Sequence, residues 1–227
     1  MIEYFAKYYY TVPIQIILTV VFIALSLWHF NKLESFKILV PYGLISLVQC
    51  MVGVYLNVYD PYGKGVVVLL EQTINVFMLG EFIAFYAFII SLLKHKRKIQ
   101  FILISVLIIY SLFIIVYWIY AKAFNEPPSA ITVIESYLII IGCLLYFYDL
   151  FVKSAPIKIL KYPQFWAVTG MLILFAFLLP LTLQLNNIYL NFHSIYNPIY
   201  SLNFIGYSIL FAFFIISVRC QIKIKTL

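Results

Sequence analysis

The chain has 227 residues, of which 65% are hydrophobic and only 10% charged, with a mean hydropathy of +1.05. A soluble domain is about half apolar and about a quarter charged, so no soluble fold of this length can hide so much apolar surface, and lipid is the natural solvent. The formal net charge of +7 argues for membrane lipids as partners and against nucleic acid, because the positive charges fall in selected loops.

Seven apolar segments follow in chain order, at about 11–30, 37–57, 66–93, 99–121, 130–152, 163–185 and 198–218. Each has the roughly 20 residues that a helix needs to cross about 30 Å of hydrocarbon. Segment 3 is longer and is expected to tilt or project. Continuous apolar runs exclude the alternating pattern of a barrel. The expected fold is all-α: a single polytopic membrane domain over residues 1–227, a bundle of seven transmembrane helices. The first run starts near Val12 with no basic stretch before it and no small-residue cleavage site, so it reads as the first spanning helix.

Charge sets the threading. Lys32 and Lys37 lie between segments 1 and 2. Lys94, Lys96, Arg97 and Lys98 form "KHKRK" between segments 3 and 4. Lys153, Lys158 and Lys161 lie between segments 5 and 6, and Arg219, Lys223 and Lys225 follow segment 7. Only Lys7, Lys64 and Lys122 fall on the other side. The positive-inside rule then puts the N-terminus outside and the C-terminus in the cytoplasm, as an odd helix count also requires. Lys94, Lys96, Arg97 and Lys98 read first as a topology anchor and second as a contact for anionic lipid or a partner protein. Trp28 and Trp166 mark the inner interface and Trp118 the outer.

Weak internal similarity joins "FKILVPYG" to "IKILKYPQFW" and "AFIIS" to "AFFIIS". Two three-helix units joined by helix 4, a transporter-like plan, compete here with chance matches in apolar sequence. Pro180 falls inside segment 6 and is expected to kink it. Pro13, Pro41, Pro163 and Pro198 sit near helix starts, where proline is tolerated.

The polar residues inside these spans are the candidates for function. A helix rises about 1.5 Å per residue, which puts Glu81 about 18 Å from the cytoplasmic end of segment 3, close to the midplane. Gln49 lies at similar depth. Asn75, Glu135 and Asn203 lie higher, about 24–27 Å from the inner side. Few polar groups occupy the inner half, so the pattern suggests a pocket opening outward. A carboxylate at the bilayer centre costs on the order of 3 kcal/mol or more. Glu81 must therefore face the bundle, either as part of a ligand, ion or proton site or as a neutral acid bridging helices. Glu135 lies within a turn or two of the outer interface, where it either snorkels outward or turns inward with Ile139, Gly142, Tyr146 and Asp149, which share its face; Gly142 allows close helix approach. Asp149 is expected to pair with Lys153. Tyr86 and Tyr146 either line the bundle or simply pack.

Several chemistries fail. Cys50, Cys143 and Cys220 have no metal or redox spacing. His29 and His95 are predicted inside and His193 outside, so they cannot join in the zinc site of a membrane hydrolase. Segment 7 lacks the Schiff-base lysine of a retinal protein. Only Pro163-Gln164 matches the paired proline–glutamine signature of three-plus-one-plus-three sugar transporters. No nucleophile–base pair, metal cluster or cofactor motif is present, which argues against an enzyme.

"INVFMLGEFIAF", "IESYLIIIGCLLYFYDLF" and "PQFWAVTGMLILF" together resemble a family of small, uncharacterised bacterial seven-helix membrane proteins common in Bacteroidetes-type genomes. The resemblance covers roughly segments 2 to 7. Its most specific pieces are Asn75, Glu81 and Phe82 in segment 3 and Pro163, Phe165 and Trp166 in segment 6. It departs after Gly170, where Met171-Leu-Ile-Leu-Phe stands in place of an expected aromatic such as Tyr. The resemblance implies a multi-pass protein of the bacterial inner membrane, sensor-like and without an output domain, with a histidine kinase or similar protein as partner. It supplies no ligand and no reaction.

The leading expectation is a sensory or signalling module that binds a small molecule or lipid-like ligand around Glu81, Asn75, Gln49, Glu135 and Asn203. The alternative is a small proton- or cation-coupled transporter using Glu81.

Overall fold

A computed structural model describes residues 12–59, 64–93, 97–120, 129–153, 159–191 and 193–226. It is built of α1 (Val12–Trp28), α2 (Leu39–Tyr59), α3 (Lys64–Leu92), α4 (Arg97–Tyr120), α5 (Ser129–Lys153), α6 (Pro163–Asn191) and α7 (His193–Thr226). Short 3-10 turns, Phe30–Lys32 and Glu34–Ile38, link α1 to α2, and another, Ile159–Lys161, leads into α6. No strand occurs among the described residues. Six helices are long and apolar enough to cross a membrane. α1 is apolar but has only 17 residues. The chain is thus a helical bundle of multi-pass membrane type.

Boundaries differ from the sequence expectation mainly at helix ends. Segment 7 was expected to stop near residue 218, yet α7 continues to Thr226. Apolarity marks where lipid ends, whereas helical hydrogen bonding continues past it into polar sequence. α6 likewise continues to Asn191 and is helical across Pro180. Proline there removes one backbone bond, leaving the carbonyl of Ala176 without its usual donor. The first connection is tight: the Lys32 amide donates to the His29 carbonyl at 2.8 Å, and Glu34 takes a left-handed φ of 38°.

Six of the helices close a ring in the order α1, α2, α3, α5, α6, α7 and back to α1, while α4 packs outside it, chiefly on α3. α3 touches α2, α4, α5 and α6. Rings from several helices fill the centre. Phe22 of α1 lies 5.8 Å from Phe211 and 5.4 Å from Phe214, both of α7. Phe85 of α3 meets Tyr42, Phe175 and Phe214 at 4.5, 5.8 and 6.1 Å. Lipid tails are as apolar as leucine, so helices in a membrane associate through close packing and polar contacts. Small residues serve that packing. A Cβ on Gly170 would stand 2.7 Å from the Cβ of Phe213, and one on Gly142 would stand 3.0 Å from Ile89.

At the end of the bundle where α1 and α7 finish, polar side chains bind exposed carbonyls. The Gln221 amide donates to the Lys32 carbonyl at 3.3 Å, Gln100 to that of Ile90 at 3.1 Å, and the Trp166 indole to that of Leu160 at 2.9 Å.

Candidate functional site

The site forms where α2, α3 and α7 converge. Glu81 is buried on α3, with 2% of its surface exposed. The Tyr42 hydroxyl of α2 donates to its Oε1 at 2.8 Å, and the Tyr207 hydroxyl of α7 donates to its Oε2 at 3.1 Å. Each carboxylate oxygen thus accepts a phenol proton from a different helix. Hydrogen bonds to an ionised acceptor are the stronger kind, so one carboxyl ties three helices together. Aromatic rings pack around these bonds. Tyr42 stacks on Phe211 at 5.9 Å and lies 6.0 Å from Phe77, which itself meets Tyr207 edge-on at 6.0 Å.

Glu135 stands on α5, on the face that packs against α3. It is 1% exposed, and among the described residues neither of its carboxyl oxygens has a hydrogen-bond partner. Packing of α3 against α5 sets its height. The Thr132 hydroxyl donates to the Met78 sulfur at 3.4 Å, and Gly142 faces Ile89. Thr132 and Met78 each precede their glutamate by three residues. Gly142 follows Glu135 by seven, and Ile89 follows Glu81 by eight. The two helices therefore run parallel, and the two carboxyls lie level. Run length alone puts Glu135 about 6–9 Å above Glu81; the packed register corrects this, because the apolar runs of α3 and α5 do not end at the same height. Tyr110 of α4 completes this side. It meets Phe82 at 4.5 Å, and its hydroxyl donates to the Ile131 carbonyl at 2.7 Å.

The remaining expected residues distribute around this centre. Asn75 is buried on α3, nearly two turns before Glu81. Asn203, on α7 one turn before Tyr207, is partly buried, and its side-chain oxygen has no partner among the described residues. Gln49 lines a separate lateral cavity of about 470 Å³ between α2 and α3, together with Leu44, Ile45, Val48, Gln72, Thr73, Val76 and Phe77. Glu81, Asn75, Glu135 and Asn203 are not on its lining. Phe77 joins the two features, because it walls the cavity and packs on both tyrosines that hold Glu81.

Arg97 and Lys98 open α4 and are exposed, while Lys94 and Lys96 lie outside the described residues. Asp149 is buried, and the side chain of its expected partner Lys153 lies outside the described residues. Tyr86 and Tyr146 are buried, with Tyr86 stacked on Phe82 at 4.8 Å. Cys50, Cys143 and Cys220 are free thiols, and among the described residues no three metal-ligating side chains gather.

Sequence reasoning missed Tyr42 and Tyr207, the two donors to Glu81. A signal was present. Tyr42, Ser46 and Gln49 recur at helical spacing on α2, as do Asn203 and Tyr207 on α7. Among 20 tyrosines that spacing did not stand out.

The chain matches no protein-family model, no curated protein and no solved structure.

Proposed function

We propose that this chain is a sensory or signalling module of the bacterial inner membrane, with its N-terminus outside and its C-terminus in the cytoplasm. It acts through a partner protein such as a histidine kinase, with a small molecule, ion or lipid-like ligand as input. One observation supports this most: the Glu81 carboxyl is held at once by Tyr42 and Tyr207, so α2, α3 and α7 share a single polar node. Whatever changes the charge or partners of that node favours a different packing of three helices. A ligand shifts such an equilibrium only through differential affinity for the two packings. Arg97 and Lys98, with Lys94 and Lys96 before them, offer the contact for the partner.

Affinity purification from the native host in gentle detergent tests this reading. A co-purifying signalling protein, lost when Lys94, Lys96, Arg97 and Lys98 are neutralised, is the expected result. Recovery of the chain alone counts against it.

The level placement of Glu81 and Glu135 favours a second reading, a small proton- or cation-coupled transporter. Carboxyls near a bilayer midplane are the usual site of ion coupling. That reading requires substrate flux in proteoliposomes holding this chain alone, abolished by Glu81→Gln.

A further inference from the structure

We propose that Glu81 and Glu135 form one binding site for a single small monovalent cation, with proton and sodium ion as competing occupants. The inference rests on the site described above and narrows its ligand; it does not depend on whether the output is signalling or transport.

No lysine, arginine or histidine occurs anywhere in the spans 12–28, 39–59, 65–92, 99–120, 129–152, 163–191 or 197–218. No basic side chain at that depth can neutralise a carboxylate, and an isolated buried charge is not tolerated. The two glutamates differ in what they lack. Glu81 already receives two phenol hydrogen bonds, which spread its negative charge. Glu135 is equally buried and level with it, yet among the described residues its oxygens receive nothing. One external positive charge at Glu135 completes the pair, and a second is unnecessary because the phenols serve Glu81. The available donor atoms are hard oxygens, which select a proton or a hard metal cation over a soft one.

The ionisable groups that face the pair do not provide that charge. They are Tyr42 of α2 and Tyr207 of α7 at Glu81 and Tyr110 of α4 at the Glu135 side, with Tyr86 of α3 and Cys143 of α5 buried farther along the α3–α5 seam. All are neutral or negative. α6 presents Met171, Leu174 and Phe175 to the core, and none of these titrates.

The test is thermal unfolding of the full chain in nanodiscs, in sodium chloride or choline chloride at equal ionic strength, across a range of pH. A melting temperature that rises as sodium or protons are added is expected, by about 5–10 °C at a hundredfold excess of ion over its dissociation constant. Sodium stabilisation opposed by protons assigns sodium as the resident ion. A response to pH alone assigns the proton. Either result upholds the site, provided that Glu135→Gln removes the response and Asp149→Asn keeps it. An ion response identical in wild type and Glu135→Gln overturns the proposal.

If Glu135→Gln does not fold, infrared difference spectra of the wild-type protein decide. A carboxyl band that changes on exchanging sodium for choline, or on changing pH, is expected. Its absence under both exchanges overturns the proposal. Failure to recover a signalling partner would leave these ion responses untouched, so the two ideas fail separately.

Discussion

α3 and α4 are adjacent apolar helices of similar length, yet the bundle uses them in opposite ways. α4 has the more hydrophobic span, with a mean hydropathy of 2.8, and only 17% of that span is buried; the α3 span has a mean of 1.8 and is 50% buried. In a soluble protein the more apolar helix would be the inner one. Lipid reverses the rule, since an apolar surface loses nothing by facing hydrocarbon, whereas polar groups must turn inward. α4 therefore buries little beyond Leu103, Tyr110 and Ile114 and spreads residues such as Ile108, Ile109 and Leu112 over its outer face. α3 carries Asn75 and Glu81 inward and meets α2, α4, α5, α6 and α7.

Mutations can break or sharpen this contrast. The largest effect is expected for Phe85→Ala on α3, where the lost ring leaves Tyr42, Phe175 and Phe214 around a void. A loss of about 3–4 kcal/mol follows from the known cost of such cavities, measurable by steric-trap unfolding in bilayers. Ile109→Asp on α4 places a carboxylate against lipid without phenol donors. It should lower membrane insertion by about 3 kcal/mol, read in a translocon insertion assay. Efficient insertion would mean that α4 is not lipid-facing at that point.

Next come Tyr42→Phe and Tyr207→Phe, each removing one donor from buried Glu81 at a cost of about 1–3 kcal/mol. Glu81→Gln combined with either should cost less than the sum, since both act on the same node. Additive losses in that unfolding cycle would show the hydrogen bonds to be incidental. Tyr110→Phe cuts the bond that ties α4 to α5 and should cost about 1 kcal/mol. The smallest effect belongs to Ile109→Ala, 67% exposed in the wild type, with a change within about 0.5 kcal/mol. A larger loss there would reveal a protein neighbour on the α4 face.

Much of this architecture was legible in the sequence. Lipid as solvent and the number of apolar helices follow from composition and run length, because the bilayer fixes both. The inward turn of Glu81 followed from the cost of a carboxyl in hydrocarbon, and burial at 2% exposure agrees. The close approach at Gly142 was also readable, since a missing side chain leaves room whatever faces it. Less legible was which helix stays outside. α4 and α3 both read as continuous hydrocarbon, and periodicity does not tell lipid from protein as a neighbour.

Composition and span length by themselves determined that this is a helical membrane bundle holding carboxyls with no basic residue at their depth. Only the tertiary structure decided how those carboxyls are met. Tyr42 and Tyr207 lie 39 and 126 residues from Glu81 along the chain, and the register of α3 on α5 sets Glu135 level with it. Helical spacing orders side chains within one helix, but which faces meet is settled by packing among several helices at once.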